Sequence, residues 1–218
     1  MEEQPLKILI LAAEVVPFVK VGGLADVVGA LPKALRALGH DVRLVMPRYG
    51  QIDTERFGLS TVLDKLSVDM ATFREPVSVW QGGIGEGIPV YMIDAPRYFD
   101  REHIYGYTDD GERFILFCRA ALEVVRALGW SPDVIHCNDW HTGIVPNWMH
   151  TVYRNDPFFE NTATVYTIHN LAYQGIFGYR ILEVAGVATH GFLYPQIAEL
   201  ANVVDIMGRG ILFADAVT

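Results

Sequence analysis

Directly after Lys7 the chain reads Ile-Leu-Ile-Leu-Ala-Ala as far as residue 13, without a polar side chain. A strand-length run with no alternation has no face for solvent, so it belongs in the middle of a parallel sheet covered on both sides. A loop with Pro17, Gly22 and Gly23 follows. Then Leu24, Val27, Val28, Leu31, Leu35 and Leu38 recur at helical spacing, and Gly39 is a suitable stop. Pro32 falls inside that pattern and removes one backbone donor, which predicts a kinked helix or two short ones. Asp41 to Met46 reads as the next strand, so the opening segment is a βαβ unit.

Residues 59–93 have a different texture. Val77 and Val79 alternate with polar neighbours, and Gly82-Gly83 and Gly85 to Gly87 supply turns before Ile88 to Ile93, which predicts an antiparallel hairpin excursion. Phe114, Phe117, Cys118, Ala121, Leu122, Val125 and Leu128 form one helical stripe that Gly129 ends. Asp109 with Glu112 has the spacing of a capping box at its start. Strands at Asp133 to Cys137 and Ala163 to Ile168 flank a helix carrying Val145, Trp148, Met149 and Val152. Ile211 to Ala214 reads as the end of a helix and Ala216 to Thr218 as the start of a strand, which suggests a truncated pattern. The expected fold class is α/β, a doubly wound, mostly parallel sheet, with residues 1–218 forming one domain.

Composition narrows the partners. With 51% hydrophobic residues in 218, a sizeable core forms without staples. Only Cys118 and Cys137 occur, with no metal-like spacing, so a disulfide framework is not expected and a reducing cytoplasm is the default. The apolar runs fall far short of the ~20 residues of a membrane span. The start, Met-Glu-Glu-Gln-Pro, lacks signal-peptide regions. A net charge of −9 without a Lys/Arg cluster argues against nucleic acid and for a small molecule or neutral polymer.

In open α/β sheets ligands bind beyond the carboxyl ends of the strands, and three polar clusters fall there. They are Lys20-Val-Gly-Gly-Leu-Ala-Asp26, Asn138-Asp-Trp-His-Thr142 and His169-Asn-Leu-Ala-Tyr-Gln-Gly175. Gly22 and Gly23 let a ligand approach the amides of the following helix, and Lys20 offers a point charge suited to phosphate; a tight turn with a solvated lysine is the plainer reading. The spacing G-x-G-x-x-G is absent, which counts against a nicotinamide cofactor. Asp139 and His141 suit a general acid/base pair or hydroxyl binding, while Asp139 equally suits capping of the following helix. His169 follows a strand end and precedes Asn170, a position for substrate contact. His136 reads as a core histidine, and His40, His103, His150 and His190 as surface residues. Trp140, Tyr173 and Phe177 offer a stacking platform for sugar rings or simple packing.

The same clusters resemble the bacterial glycogen synthase and plant starch synthase family. Lys20 to Pro32 (K-V-G-G-L-A-D-V-V-G-A-L-P) is similar to its signature, and N-D-W-H-T at 138–142 and T-I-H-N-L-A-Y-Q-G at 167–175 follow in family order. I-D-A-P at 93–96 and the closing F-A-D-A-V-T agree. The resemblance implies the amino-terminal half of a GT-B enzyme, two Rossmann-like domains facing across a cleft. It implies transfer of glucose from ADP-glucose or another nucleotide glucose to the non-reducing end of an α-1,4-glucan, with retention and without metal or cofactor. It places Lys20, Gly22 and Gly23 near the donor phosphates, and Asp26, Asp139, His169 and Asn170 around the transferred glucose or acceptor, with His141 and Gln174 as further substrate contacts. Tyr98 is a candidate acceptor aromatic beside Phe99, and Arg209 stands where the family often has lysine. Since most nucleotide contacts come from the second domain, this stretch alone is expected to be inactive. The competing readings are another GT-B enzyme of sucrose-phosphate or trehalose type, a glycan-binding or regulatory module, and a nicotinamide-linked protein.

Overall fold

A computed structural model describes residues 4–187 and 203–218. Its elements in chain order are β1 (Lys7–Leu11), α1 (Gly23–Ala37), β2 (Asp41–Pro47), β3 (Ser60–Asp69), β4 (Arg74–Ile84) and β5 (Ile88–Asp94). Then come α2 (Pro96–Phe99), α3 (Asp110–Ala127), β6 (Val134–Asn138), a 3-10 turn (Trp140–Thr142), α4 (Ile144–His150) and β7 (Ala163–Thr167). The described chain closes with β8 (Ile176–Gly178), α5 (Arg180–Ala185), β9 (Val203–Asp205), α6 (Ile206–Phe213) and β10 (Ala216–Val217). His190, expected at the surface, lies outside the described residues.

The described residues form an eight-stranded sheet in the order β10-β7-β6-β1-β2-β5-β4-β3. Pairing is parallel from β10 to β5 and antiparallel for β5-β4 and β4-β3. β1 sits inside it with Leu9, Ile10 and Leu11 buried, as an uninterrupted apolar run requires. From β1 the chain steps outward to β2 and β5, then returns to β6 on the other flank. Strand order therefore reverses between β1 and β6, and the loops leaving those strands part to open a crevice at their carboxyl ends.

Four expectations change in detail. The hairpin segment is no appendage: β5 pairs parallel with β2, because Val90, Met92 and Ile93 are apolar on both faces and fill a central position. α1 runs unbroken through Pro32. Leu24, Val28 and Pro32 bury one stripe, and a Cβ on Gly29 would lie 2.2 Å from Val16 Cγ2, so close packing outweighs the lost donor. The capping box at α3 does not form, since stronger partners take both carboxylates. Arg101 grips Asp109 through both terminal nitrogens at 2.6 Å, and Glu112 accepts from the Tyr98 hydroxyl at 2.8 Å. α4 stops at His150, leaving Val152 outside the helix.

The segment between α2 and α3 is fastened from beneath. Arg113 is fully buried and shares Asp110 at 2.8 Å, while the other Asp110 oxygen accepts from the Gly106 amide at 2.8 Å. Arg113 also donates to the Ile104 carbonyl. A buried guanidinium is tolerated only when its donors are satisfied in this way.

Candidate active site at the carboxyl edge of the sheet

Parallel register delivers the clusters to one edge. Leu11 pairs with Cys137 and Asn138 with Thr167, so the residues after β1, β6 and β7 emerge side by side. Asn138 is fully buried and its Nδ2 donates to the carbonyls of Leu11, at 3.1 Å, and His136. That fixes the amide orientation, so Asn138 Oδ1 must accept from His169 Nε2 at 2.9 Å, and this ring nitrogen carries the proton.

Asp139 is the sharpest local feature. Its backbone lies at φ 56°, ψ 179°, a region ordinarily reserved for glycine and costing on the order of 1–3 kcal/mol. The strained turn aims its carboxylate at the segment after β7, where Oδ1 accepts from the amides of His169, at 2.7 Å, and Asn170, at 3.3 Å. The alternative of a cap on the following helix is not realised, as that helix has no side-chain cap. Burial raises the Asp139 carboxyl above the usual range, and the two amides with His169 work against that rise.

His141 lies deeper, against Trp140, Phe114 and Tyr105 with ring centroids 4.2, 4.7 and 4.9 Å away. Burial, with Arg113 nearby, lowers its pKa to about 3, so it is an uncharged, weak base at neutral pH. Its Nδ1 has no partner among the described residues. His136 behaves as a core histidine, with Nε2 2.7 Å from Thr167 Oγ1 and a pKa lowered to about 4 by burial.

Trp140 floors an open cavity of about 300 Å³ whose walls are Ala172, Tyr173, Gln174, Gly175 and Ile176. Tyr173 is 68% exposed at its rim, whereas Phe177 packs behind the indole at 5.3 Å. The position of Gly175, at φ +67°, favours glycine twice over, since a Cβ would also lie 2.5 Å from Trp140 Cε3. Gln174 and Gly175 are pinned by their carbonyls, which accept from the first amides of α6, Met207 and Ile206. Asn170 closes its own turn by accepting from the Ala172 amide.

At the loop after β1, Gly22 and Gly23 border open space, and neither has a left-handed backbone. Their value is room beside the first turn of α1, which no side chain caps. Lys20 Nζ reaches Asp26 at 2.7 Å, with both side chains more than half exposed, a pair that solvent or an incoming anion readily competes for. A second cavity of about 510 Å³ opens below this loop, between Lys20, Val21, Gln51, His103 and Tyr105.

The strand ends thus gather Asn138, Asp139, His169 and Asn170 in one hydrogen-bonded unit, with His141 beneath it. Lys20, Gly22, Gly23 and Asp26 line the neighbouring loop, and Gln174 the flanking cavity. Tyr98 joins neither group: it is 1% exposed with its hydroxyl spent on Glu112, and Phe99 is fully buried. Arg209 lies half-buried on α6, and burial lowers its guanidinium below the ordinary range. Two residues carry no expectation from the sequence, Glu14 and Tyr105, while Asn138 lay in an expected cluster without the orienting role the structure gives it. Glu14 carried a usable signal, a carboxylate directly after an unbroken apolar strand; Tyr105 carried none. Among the described residues no group of three His, Cys, Asp or Glu side chains converges as a metal site, and no helix is long and apolar enough to cross a membrane.

Fold and site together define a doubly wound α/β domain with a polar crevice at its switch point and a glycine loop that lacks the dinucleotide spacing. The chain belongs to the starch synthase catalytic domain family, whose model matches residues 7–218. It is 46% identical over 216 residues to a glycogen synthase of Moorella thermoacetica, covering 98% of this chain and 43% of that protein. It is 46% identical over 227 residues to a glycogen synthase of Desulforudis audaxviator, covering 100% of this chain and 45% of that protein. The catalytic domain of starch synthase IV from Arabidopsis thaliana, solved with ADP and acarbose, superposes with a TM-score of 0.89 at 32% identity, over 98% of this chain and 44% of that one. The fold is therefore that of the amino-terminal part of a GT-B glycosyltransferase, and the chain spans under half the length of these relatives.

Proposed function

We propose that this chain forms the acceptor-side wall of a cytoplasmic glucosyltransferase that moves glucose from ADP-glucose to the non-reducing end of an α-1,4-glucan with retention. The observation that carries the reading is the Asp139 turn. A strained backbone is maintained so that one carboxylate oxygen orders the backbone at His169 and Asn170. Such strain concentrates where geometry serves chemistry.

When the bond between sugar and diphosphate breaks, positive charge grows on the sugar ring and negative charge on the departing phosphate. A preorganised site stabilises both without moving. In this reading Lys20 leaves Asp26 for the phosphate, beside the uncapped start of α1. Asp139 acts by orienting the His169 segment under the reacting sugar; it is not a strong base. His169 is held by Asn138 through Nε2, so the ring cannot swing into the space of the transferred glucose. Asp26 and Asn170 remain to meet sugar hydroxyls, and Trp140, Tyr173 and Gln174 flank the glucan. His141 serves from beneath, by packing. Tyr98, closed off by Glu112, has no part in it.

A titration with maltoheptaose, followed by tryptophan fluorescence with NAD as control, tests the reading. Saturable binding that His169→Ala weakens is expected, with no response to NAD. A response to NAD alone would overturn the assignment, and binding indifferent to His169→Ala would place the glucan elsewhere on the surface.

A further inference from the structure

Glu14 sits at the base of the glycine loop and is 4% exposed. Its carboxylate accepts three hydrogen bonds, all from neutral donors. Oε2 takes the amides of Val21, at 2.6 Å, and Gly22, at 2.9 Å. Oε1 takes the Tyr105 hydroxyl at 2.6 Å. A carboxyl group buried to this degree is tolerated because both of its oxygens find hydrogen-bond partners.

This arrangement has two consequences for the site. Two successive amides just ahead of a helix form a concave anion cradle, and the protein fills this one with its own side chain. An incoming diphosphate is left with Lys20 and the first turn of α1. The other oxygen reaches across the crevice, because the Tyr105 ring lies 4.9 Å from His141, which is stacked 4.2 Å from Trp140. The carboxylate thus ties the loop after β1 to the segment between α2 and α3, whose Tyr105 ring in turn packs on the turn after β6.

We infer that Glu14 is a positioning residue whose carboxylate, bound to Val21, Gly22 and Tyr105, sets the placement of Lys20 and the start of α1 relative to the Asp139–His169 unit. It acts through the loop and not on substrate. Its kinetic consequence rests on the transferase reading above; its geometric consequence does not.

Two measurements on Glu14→Gln, with Tyr105→Phe alongside, test this. In the 218-residue chain the Val21 and Gly22 amides should exchange about tenfold faster in Glu14→Gln, with the amides of β1 and β6 unchanged. In the full-length protein, glucose transfer from ADP-glucose to glycogen should fall roughly 10–100-fold in kcat, with KM for glycogen kept within about twofold. A merely structural role would instead raise exchange throughout the sheet and move both constants together. If wild type transfers no glucose, the transferase reading fails and the amide readout still decides the geometry. If Glu14→Gln does not fold, Tyr105→Phe decides: faster exchange confined to Val21 and Gly22 supports the inference. Unchanged exchange at those two amides, or an unchanged kcat in a folded Glu14→Gln, overturns it.

Discussion

Two histidines and a glycine make testable statements about pH and packing. The folded state depresses the pKa of His141 to about 3 and of His136 to about 4, so the unfolded chain takes up protons first as pH falls below the ordinary 6.5. Their contribution to stability is complete above pH 6.5 and is lost progressively toward pH 4 and below, with a slope of up to about 1.4 kcal/mol per pH unit for each histidine. Urea midpoints measured from pH 7.5 to 4.5 should fall accordingly, and His141→Phe should remove about half of that slope. An identical slope in the variant would mean that His141 is already protonated when folded. Gly175→Ala adds both a left-handed backbone penalty and a clash with Trp140, together about 1–3 kcal/mol. It should lower the melting temperature and shift tryptophan emission; an unshifted spectrum would show that the indole does not rest on that glycine. At this scale the sequence was only partly legible. Asp139 and His169 stood out because they follow strand ends, but nothing in N-D-W-H-T tells a carboxylate that caps a helix from one that reaches across to the next loop.

At the scale of elements, the flanking loop depends on a short helix. Asp205 caps α6 by accepting from the Gly208 amide at 2.9 Å, and α6 in turn holds Gln174 and Gly175 by its first two amides. Asp205→Ala should cost about 1 kcal/mol. The loss should appear as faster amide exchange at Ile206 and Met207, while exchange in β1 and β6 stays the same; equal acceleration everywhere would show that the cap serves global stability alone. α3 illustrates why local signals mislead. A capping box competes with any stronger partner that folding brings near, and Arg101 at Asp109 is such a partner. Pro32 shows the converse: a propensity penalty of about 3 kcal/mol yields when a helix buries a close-packed stripe.

At the scale of the whole molecule, the carboxyl edge exposes more apolar surface than its chemistry uses. Leu171 is 67% exposed and Ile176 58%, and on α6 Ile211 and Leu212 are about half exposed. Family relatives have more than twice this length. A transfer reaction that needs groups on both sides of a cleft is expected to be negligible when one side is supplied alone. The 218-residue chain should bind maltoheptaose yet incorporate no measurable glucose from ADP-glucose into glycogen. Robust elongation by the purified chain would refute the two-sided site.

What the sequence determined by itself was the framework. A short, unalternating apolar run rich in isoleucine and bounded by a Pro/Gly loop favours a central strand, alternating helical and strand periods favour a mostly parallel sheet, and polar clusters after strand ends fall at one edge. These follow from burial and periodicity, which are local and additive. The tertiary structure alone decided which polar groups meet. Glu14 reaches Tyr105 across 91 positions of sequence, Asn138 orients His169 across 31, and Tyr98 is withdrawn by Glu112. Hydrogen bonds are directional and short-ranged, so their partners are set by the placement of backbones far apart in the chain, and no period along the sequence encodes them.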